Sequence, residues 1–270
     1  MKILAIHSDT HCGSKLGLCP REVELDGEGT FIPSKAQRWL WTNWLDYWKG
    51  VKKLKKKYKA EVWSVSVGDS GDLNRHGSFQ YISQNPKIVK SIAVDVYEPA
   101  IFDKCFFVRG TAAHGGRSGW LEEWIAEDLD AVQDPETDNW SWWYIRMQVE
   151  DLLVEFYHHP QVKGWMPHTE RNAPNRMANI MFQRCHEADE PIPDLAFFGH
   201  VHYYTTSDRA MKPRVFYCPG WQLPYDFIFK IGKGHHSPLV GGLIILVDGG
   251  TYTIIDKYMY RPERKLVWSP

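Results

Sequence analysis

Six acidic and histidine residues stand directly behind strand-like segments of this chain, and their side chains suit the binding of divalent cations. In chain order these residues are Asp9, His11, Asp69, His158, His200 and His202. The strand-like segments that precede them are 2–7, 61–67, 152–157 and 195–198. Carboxylate oxygens combined with imidazole nitrogens are donors that Mn, Fe, Zn and similar divalent ions accept. The spacing therefore predicts a metal centre.

The common position of these residues at strand ends is the reason to expect them in one place. Strands of an open α/β sheet deliver the residues that follow them to one edge, where ligands bind. Asp69 has two carboxylate oxygens and could bridge two ions roughly 3.5–4 Å apart, the spacing found in two-metal hydrolases. Taken singly, each motif also fits an ordinary role, such as a hydrogen-bonded core His or an Asp that caps a helix. The complete ordered set favours the metal centre.

Alternating strand-like and helix-like segments must position these residues. β-Branched and aromatic runs predict strands at 2–7, 61–67, 105–109, 141–149, 152–157, 195–198, 214–218, 242–247 and 251–259. Apolar residues at three- and four-residue spacing predict helices at 35–57, 86–101, 118–130 and 172–188. The first half alternates strand and helix, which indicates parallel β-α-β units, and the strand-rich second half indicates a second sheet. The predicted fold class is an α/β sandwich with mixed sheets.

The ordered motifs resemble those of the calcineurin-like metallophosphoesterases. Besides the six residues above, the matching runs are Gly68-Asp69, Gly110 to His114 and Gly199-His200-Val201-His202. The resemblance covers residues 1 to about 202, and Pro219-Gly220-Trp221 with the final hairpin looks like the subgroup often encoded by phages. The resemblance implies a four-layer α/β/β/α sandwich, as a single domain over residues 1–270.

The resemblance also implies which residues hold each of two ions. The first ion would be held by Asp9, His11 and His202, the second by His158 and His200, with Asp69 as the bridge. His158 is preferred to His159 because it comes first after the strand. Mn is the expected ion, with Fe, Zn, Ni and Mg as alternatives.

One motif departs from the family pattern, which is Gly-Asn-His. Thr111 stands where the family has the Asn that binds the second ion, and a hydroxyl is a poorer ligand than an amide oxygen. His114 comes two residues late, but the glycines at 115 and 116 let the backbone bend sharply. We expect Thr111 to be a weak metal ligand and His114 to be the catalytic acid that protonates the leaving group. The alternative is that His114 is only a loop residue.

Such a centre would hydrolyse phosphoesters, with a water activated by the ions attacking phosphorus in line. Arg109 and Arg117 are candidates to bind the phosphate oxygens of the substrate, and an ion pair in the core or at the surface is the alternative for either. The lysine run at 52–59 and a surplus of Trp and Tyr favour phosphodiesters, DNA and RNA among them. The same run also fits the solvated end of a helix. A phosphomonoesterase acting on protein or small molecule, and a non-catalytic metal-binding interaction module, stay open as alternatives.

Composition limits the class of protein. The chain has 270 residues, a formal net charge of -1 and five cysteines at irregular spacing, which favours a reducing compartment over a disulfide framework. No apolar run approaches ~18 residues and the N-terminus lacks a signal-peptide pattern, so we expect a cytoplasmic protein without a membrane partner. The 13 Trp residues mainly predict core or interface packing. Residues 230–236 are rich in Lys, Gly and His, and are a candidate substrate flap or an ordinary exposed loop.

Overall fold

The elements of the fold lie within residues 1–27, 29–74, 77, 79–164, 166–224 and 238–262, which the computed structural model describes. The strands are β1 Lys2–His7, β2 Val23–Leu25, β3 Gly29–Phe31, β4 Glu61–Ser66, β5 Lys104–Phe107, β6 Ile145–Val149, β7 Leu152–Tyr157, β8 Leu195–Phe198, β9 Thr205–Thr206, β10 Arg214–Tyr217, β11 Val240–Gly241, β12 Leu243–Asp248, β13 Thr251–Ile255 and β14 Met259–Tyr260. The helices are α1 Lys35–Tyr58, α2 Pro86–Asp95, α3 Ala112–Gly115, α4 Trp120–Asp128 and α5 Pro167–Glu187.

Two five-stranded mixed sheets carry the fold. The first has the order β13-β12-β1-β4-β5, in which β1, β4 and β5 are parallel and β12 runs antiparallel to β1. The second has the order β6-β7-β8-β10-β9, in which β7, β8 and β10 are parallel and both edge strands are antiparallel. In each sheet, therefore, three parallel strands end at the same edge.

The sheets pack face to face, and helices cover their outer faces. The apolar layer between the sheets combines side chains of both, including Leu4, Ile6, Val65, Val154, Phe156, Phe197 and Phe216. A second apolar layer joins the outer face of the first sheet to α1, α2 and α4. A third joins the second sheet to α5. This order of layers is α/β/β/α, so the predicted fold class is confirmed.

Helix α1 supplies the largest apolar face. The Ser34 hydroxyl accepts from Gln37 N at 3.2 Å and the Gln37 side chain accepts from Ser34 N at 3.1 Å, a reciprocal cap that starts the helix. Trp44 and Trp48 are buried on its inner side, and Trp44 meets the buried ring of Trp221 edge to face at 5.0 Å. These tryptophans therefore pack the core.

The lysine run at 52–59 lies at the edge of the first sheet where the strands begin. Helix α1 connects two parallel strands, so its C-terminal end returns to the start of β4. Lys55 Nζ accordingly pairs with Asp103 at 2.6 Å, and the same Asp103 carboxylate accepts from Val62 N at 2.7 Å. The loops that follow β1 and β4 are at the opposite edge, so this run does not flank them.

Several element boundaries differ from the prediction. Helix α5 begins at Pro167 instead of residue 172, because proline is well tolerated in the first helical turn. Helix α2 ends at Asp95, and Pro99 disfavours helical backbone just beyond it. The predicted strand at 141–149 begins only at Ile145. The candidate flap at 230–236 lies outside the described residues. Among the described residues, no helix is long and apolar enough to cross a bilayer.

Candidate metal centre

The loops that carry the predicted ligands meet where the parallel strands of both sheets end. Asp9 N donates to Gly68 O at 3.0 Å and His11 N donates to Asp69 O at 3.0 Å, which joins the loops after β1 and β4. His200 N donates to the Asp9 carboxylate at 3.0 Å, which brings in the loop after β8. Ligand candidates from both sheets therefore share one site.

Asp9, His11 and His202 form the first of two groups of donors. The Nε2 atoms of His11 and His202 are 3.4 Å apart, and His202 Nε2 lies 3.2 Å from Asp9 Oδ1. The ligand atoms of all three side chains lie within 4.8 Å of one another. Two imidazoles and a carboxylate directed at one point fit a divalent cation.

Asp69, His158 and His200 surround the hydroxyl of Thr111 in the second group. Thr111 Oγ1 lies 3.0 Å from Asp69 Oδ2, 3.2 Å from His158 Nε2 and 3.4 Å from His200 Nδ1. His158 Nδ1 donates to Val67 O at 2.7 Å, which turns Nε2 toward Asp69 at 3.0 Å. Asp69 also has ligand atoms near those of the first group, so its carboxylate stands between the two sets of donors.

Burial and mutual attraction set the protonation of these side chains. Burial alone would raise the pKa of Asp69 and lower that of His158, but the attraction between the two groups reverses both effects. The pKa of Asp69 falls well below its usual range, and that of His158 rises to about 9. Burial, and then the charge on His158, lowers the pKa of His200 to about 3. At neutral pH the site therefore offers ionised Asp69 and neutral His200, and a cation would compete with the proton on His158.

The backbone of the site adopts conformations that ordinary residues rarely take. Five of the six predicted Asp and His ligands have φ between 43° and 69°, in the left-handed region; they are Asp9, His11, Asp69, His200 and His202. Non-glycine residues in this region carry strain, which persists where the surrounding structure holds it and which concentrates at functional sites. The left-handed turns direct side chains two residues apart, such as Asp9 and His11, toward one point.

Two glycines allow the donors to approach so closely. Gly68 has φ 89°, and a Cβ there would overlap the ring of His158. A Cβ on Gly110 would overlap the Asp69 carboxylate. Glycine is thus required at position 68 because of space and backbone conformation, and at position 110 because of space.

Asp72 links His11 to His114. Its Oδ2 lies 3.2 Å from His11 Nδ1, and its Oδ1 lies 3.0 Å from His114 Nδ1. Burial alone would raise the pKa of Asp72, but its bonds to the two imidazoles lower it. Burial alone would lower the pKa of His114, but Asp72 raises it to about 9. His114 therefore carries a proton at neutral pH. The centre of its ring lies 4.5 Å from the ring centre of His11.

The two predicted phosphate-binding arginines differ in their surroundings. Arg109 is buried, donates to Ser141 Oγ at 2.8 Å and pairs with Glu123 at 3.2 Å. Its guanidinium also lies 4.8 Å from the ring centre of Trp143. These contacts match the alternative of an ion pair in the core. Arg117 is exposed between α3 and α4, and its contact with phosphate stays a prediction.

Sequence reasoning missed two neighbours of the second group. His159, which was set aside in favour of His158, places Nε2 3.3 Å from Thr111 Oγ1. The charge of Lys163 lowers the pKa of His200, after burial and His158. The adjacent pair of histidines was a visible signal for the first residue, whereas a lone exposed lysine gave none for the second.

Glu122 is a fully buried carboxyl group whose protonation makes stability depend on pH. Burial, and then the nearby Asp69 carboxylate, raises its pKa to about 8. Between its ordinary pKa of about 4.3 and this value, the unfolded chain loses the proton while the folded protein keeps it, so folding loses about 1.4 kcal/mol per pH unit.

In the presence of a chelator, Glu122→Gln is expected to remove this loss. From pH 5 to 8, the free energy of unfolding of the wild type, measured in urea, should fall relative to that of the variant by about 1.4 kcal/mol per pH unit. Glu127→Gln, at an exposed position on the same helix, is the control. Parallel curves for Glu122→Gln and the wild type would contradict the assignment.

Comparison with known proteins gives structural similarities only. No protein-family model and no curated protein matches the chain. A single mutant of Vps29 from Entamoeba histolytica has 11% identity and a TM-score of 0.39, covering 95% of each chain. Sulfate thiohydrolase SoxB from Thermus thermophilus has 10% identity and a TM-score of 0.44, covering 94% of this chain and 56% of that one. A dimetal phosphatase from Danio rerio has 8% identity and a TM-score of 0.44, covering 94% of this chain and 95% of that one. Identities at this level assign no activity to this chain.

Proposed function

We propose that this protein is a single-domain phosphoesterase that depends on two divalent ions and acts on phosphodiesters. The observation that carries the proposal is the convergence of two groups of donors with the Asp69 carboxylate between them. When bound, the ions would neutralise the ester and lower the pKa of bound water. Mn is the first candidate for the ions, followed by Fe, Zn, Ni and Mg.

The protein's own residues would orient the ligands and manage the proton of the leaving group. Asp72 fixes the ring of His11 through Nδ1 and leaves Nε2 for the first ion. Val67 O fixes the ring of His158 through Nδ1 and leaves its Nε2 for the second ion. His114, protonated and held by Asp72, would give its proton to the departing alkoxide.

The pairing of Arg109 within the protein supports a diester rather than a monoester. Arg109 is already paired with Glu123, so its charge is balanced within the protein. A phosphomonoester carries about 1.5–2 negative charges at neutral pH, whereas a diester carries one. The single charge needs less compensation beyond the two ions.

The diester proposal predicts an order of activities. In Mn, the kcat/KM of the metal-loaded protein for bis-p-nitrophenyl phosphate is expected to exceed that for p-nitrophenyl phosphate by about tenfold or more, a difference of about 1.4 kcal/mol in transition-state binding. A chelator should abolish both activities. The reverse order would identify a phosphomonoesterase. No turnover of any ester, despite stoichiometric ion uptake, would identify the non-catalytic module.

Nucleic acid is one class of diester within this proposal. The lysine run at 52–59 does not support it, because α1 takes the run to the remote edge. Trp143 and Tyr144 support it, because their rings are 60% and 51% exposed and could stack on bases. They precede β6, which runs antiparallel to β7, so they lie beside the end of β7, where the site is. Cleavage of single-stranded DNA or RNA faster than the generic diester would place nucleic acid first. We also propose that the protein belongs to the subgroup of calcineurin-like metallophosphoesterases often encoded by phages, because Pro219-Gly220-Trp221 resembles the sequences of that subgroup.

A further inference from the structure

The imidazole of His159 faces the same point as the donors of the second group. Its Nε2 lies 3.3 Å from Thr111 Oγ1, and the ligand atoms of His158, His159 and His200 all lie within 4.8 Å of one another. The ring centre of His159 is 4.6 Å from that of His158 and 4.5 Å from that of His200. Three imidazoles thus surround one hydroxyl.

A single hydroxyl does not account for this arrangement. Thr111 Oγ1 can donate one hydrogen bond and accept at most two, but Asp69 Oδ2 lies 3.0 Å away and three imidazole nitrogens lie 3.2 to 3.4 Å away. The hydroxyl can therefore serve at most three of these four neighbours. Several nitrogens directed at one point are the donor set of a transition-metal ion.

The end of β7 explains how two adjacent residues reach one point. His158 is buried and is held from behind by its bond to Val67 O. His159 is the more exposed of the two, and the planes of the two rings are 89° apart. His158 therefore approaches the point from inside the protein and His159 approaches it from the solvent side.

We infer that His159 is a third imidazole ligand of the second ion, an inference that rests on the two-ion function proposed above. The second ion then has three imidazoles and the shared carboxylate of Asp69. The first ion has two imidazoles with two carboxylates. Because nitrogen-rich sites favour Zn²⁺, Co²⁺ and Fe²⁺ over Mg²⁺ and Mn²⁺, the second site prefers these softer ions more strongly than the first does.

The test measures ion binding without substrate. Metal-free wild type, His159→Ala and the control His186→Ala, which removes an exposed imidazole in the last turn of α5, are titrated with Zn²⁺ by calorimetry. The wild type and the control should bind two ions. His159→Ala should bind the second ion at least about 100-fold more weakly and the first unchanged, since even losing a partner of a metal ligand costs 10–100-fold. Circular dichroism and the melting temperature check that the variant is folded.

A crystal of the Zn-loaded wild type adds the geometry. His159 Nε2 is expected at about 2.0–2.1 Å from the second ion in the anomalous map. Unchanged affinity in His159→Ala, a wild type that binds only one ion, or a His159 ring turned away from the ion would each overturn the inference. If both ions bind, the second of them through His159, but no ester is hydrolysed, the ligand assignment stands and the proposed function fails.

Discussion

Replacing Asp69 with Asn is expected to reduce ion binding from two sites to at most one and to slow ester hydrolysis by about 10³-fold or more, since each ion supplies several kcal/mol of charge stabilisation. Asp69 Oδ2 lies 3.0 Å from His158 Nε2 of the second group. The Asp69 carboxylate also lies within 4.8 Å of ligand atoms of Asp9 and His11, which belong to the first group. An amide keeps the shape but offers one neutral oxygen in place of two charged ones. Calorimetric titration with Mn²⁺ and initial rates with bis-p-nitrophenyl phosphate measure the two effects.

The chain offers a matched control for this substitution. Asp130 has φ 50°, close to the 52° of Asp69, but it is exposed at the end of α4. Asp130→Asn therefore tests the same chemical change in the same backbone conformation, and both ions and the full rate should be retained. An Asp69→Asn protein that keeps both ions and its activity would remove the bridging role.

Replacing His114 with Gln is expected to slow diesters that have poor alkoxide leaving groups by about 10²–10⁴-fold, the usual contribution of a general acid. His114 is held at 3.0 Å from Asp72, and its raised pKa of about 9 keeps the proton available at neutral pH. A p-nitrophenolate leaving group needs no proton, so its release should change little. Rates for a methyl and a p-nitrophenyl ester of the same phosphate measure the difference.

The pH profile and ion content separate the acid role from a structural role. In the wild type, the rate for the poor leaving group should fall as pH rises through the pKa of His114, because that residue loses its proton, and the variant should lack this step. His168→Gln, at an exposed position in the first turn of α5, is the control. Equal slowing of both esters together with loss of one ion would show that His114 is a metal ligand instead.

Local patterns in the sequence were enough to predict the sheets and the ligand-bearing loops. Alternating and continuous apolar runs predicted the strands β1, β4, β7 and β8. The polar residues directly after each run indicated where the strand ends. Because parallel strands of one sheet end at one edge, Asp9 and Asp69 had to lie close together. The short strands β2, β3 and β9 have too few residues to show a period, so no pattern predicted them.

Features that depend on tertiary packing could not be predicted in this way. The pairing of Arg109 with Glu123 joins a residue just after β5 to helix α4, and no local pattern specifies it. The approach of His159 to Thr111, and the bond from His158 to Val67 O, each join residues that are far apart in the sequence. The position of the lysine run depends on the direction of α1, which follows from the parallel pairing of β1 with β4. Each of these is set by contacts between distant parts of the chain.

An anomalous-scattering map from crystals of the wild type grown with Mn²⁺ tests the central claim most directly. Two peaks about 3.5–4 Å apart are expected, with Asp69 between them, the first near Asp9 and the second near His158. Absence of any peak among these side chains at saturating Mn²⁺, or ions bound only elsewhere on the protein, would contradict the account.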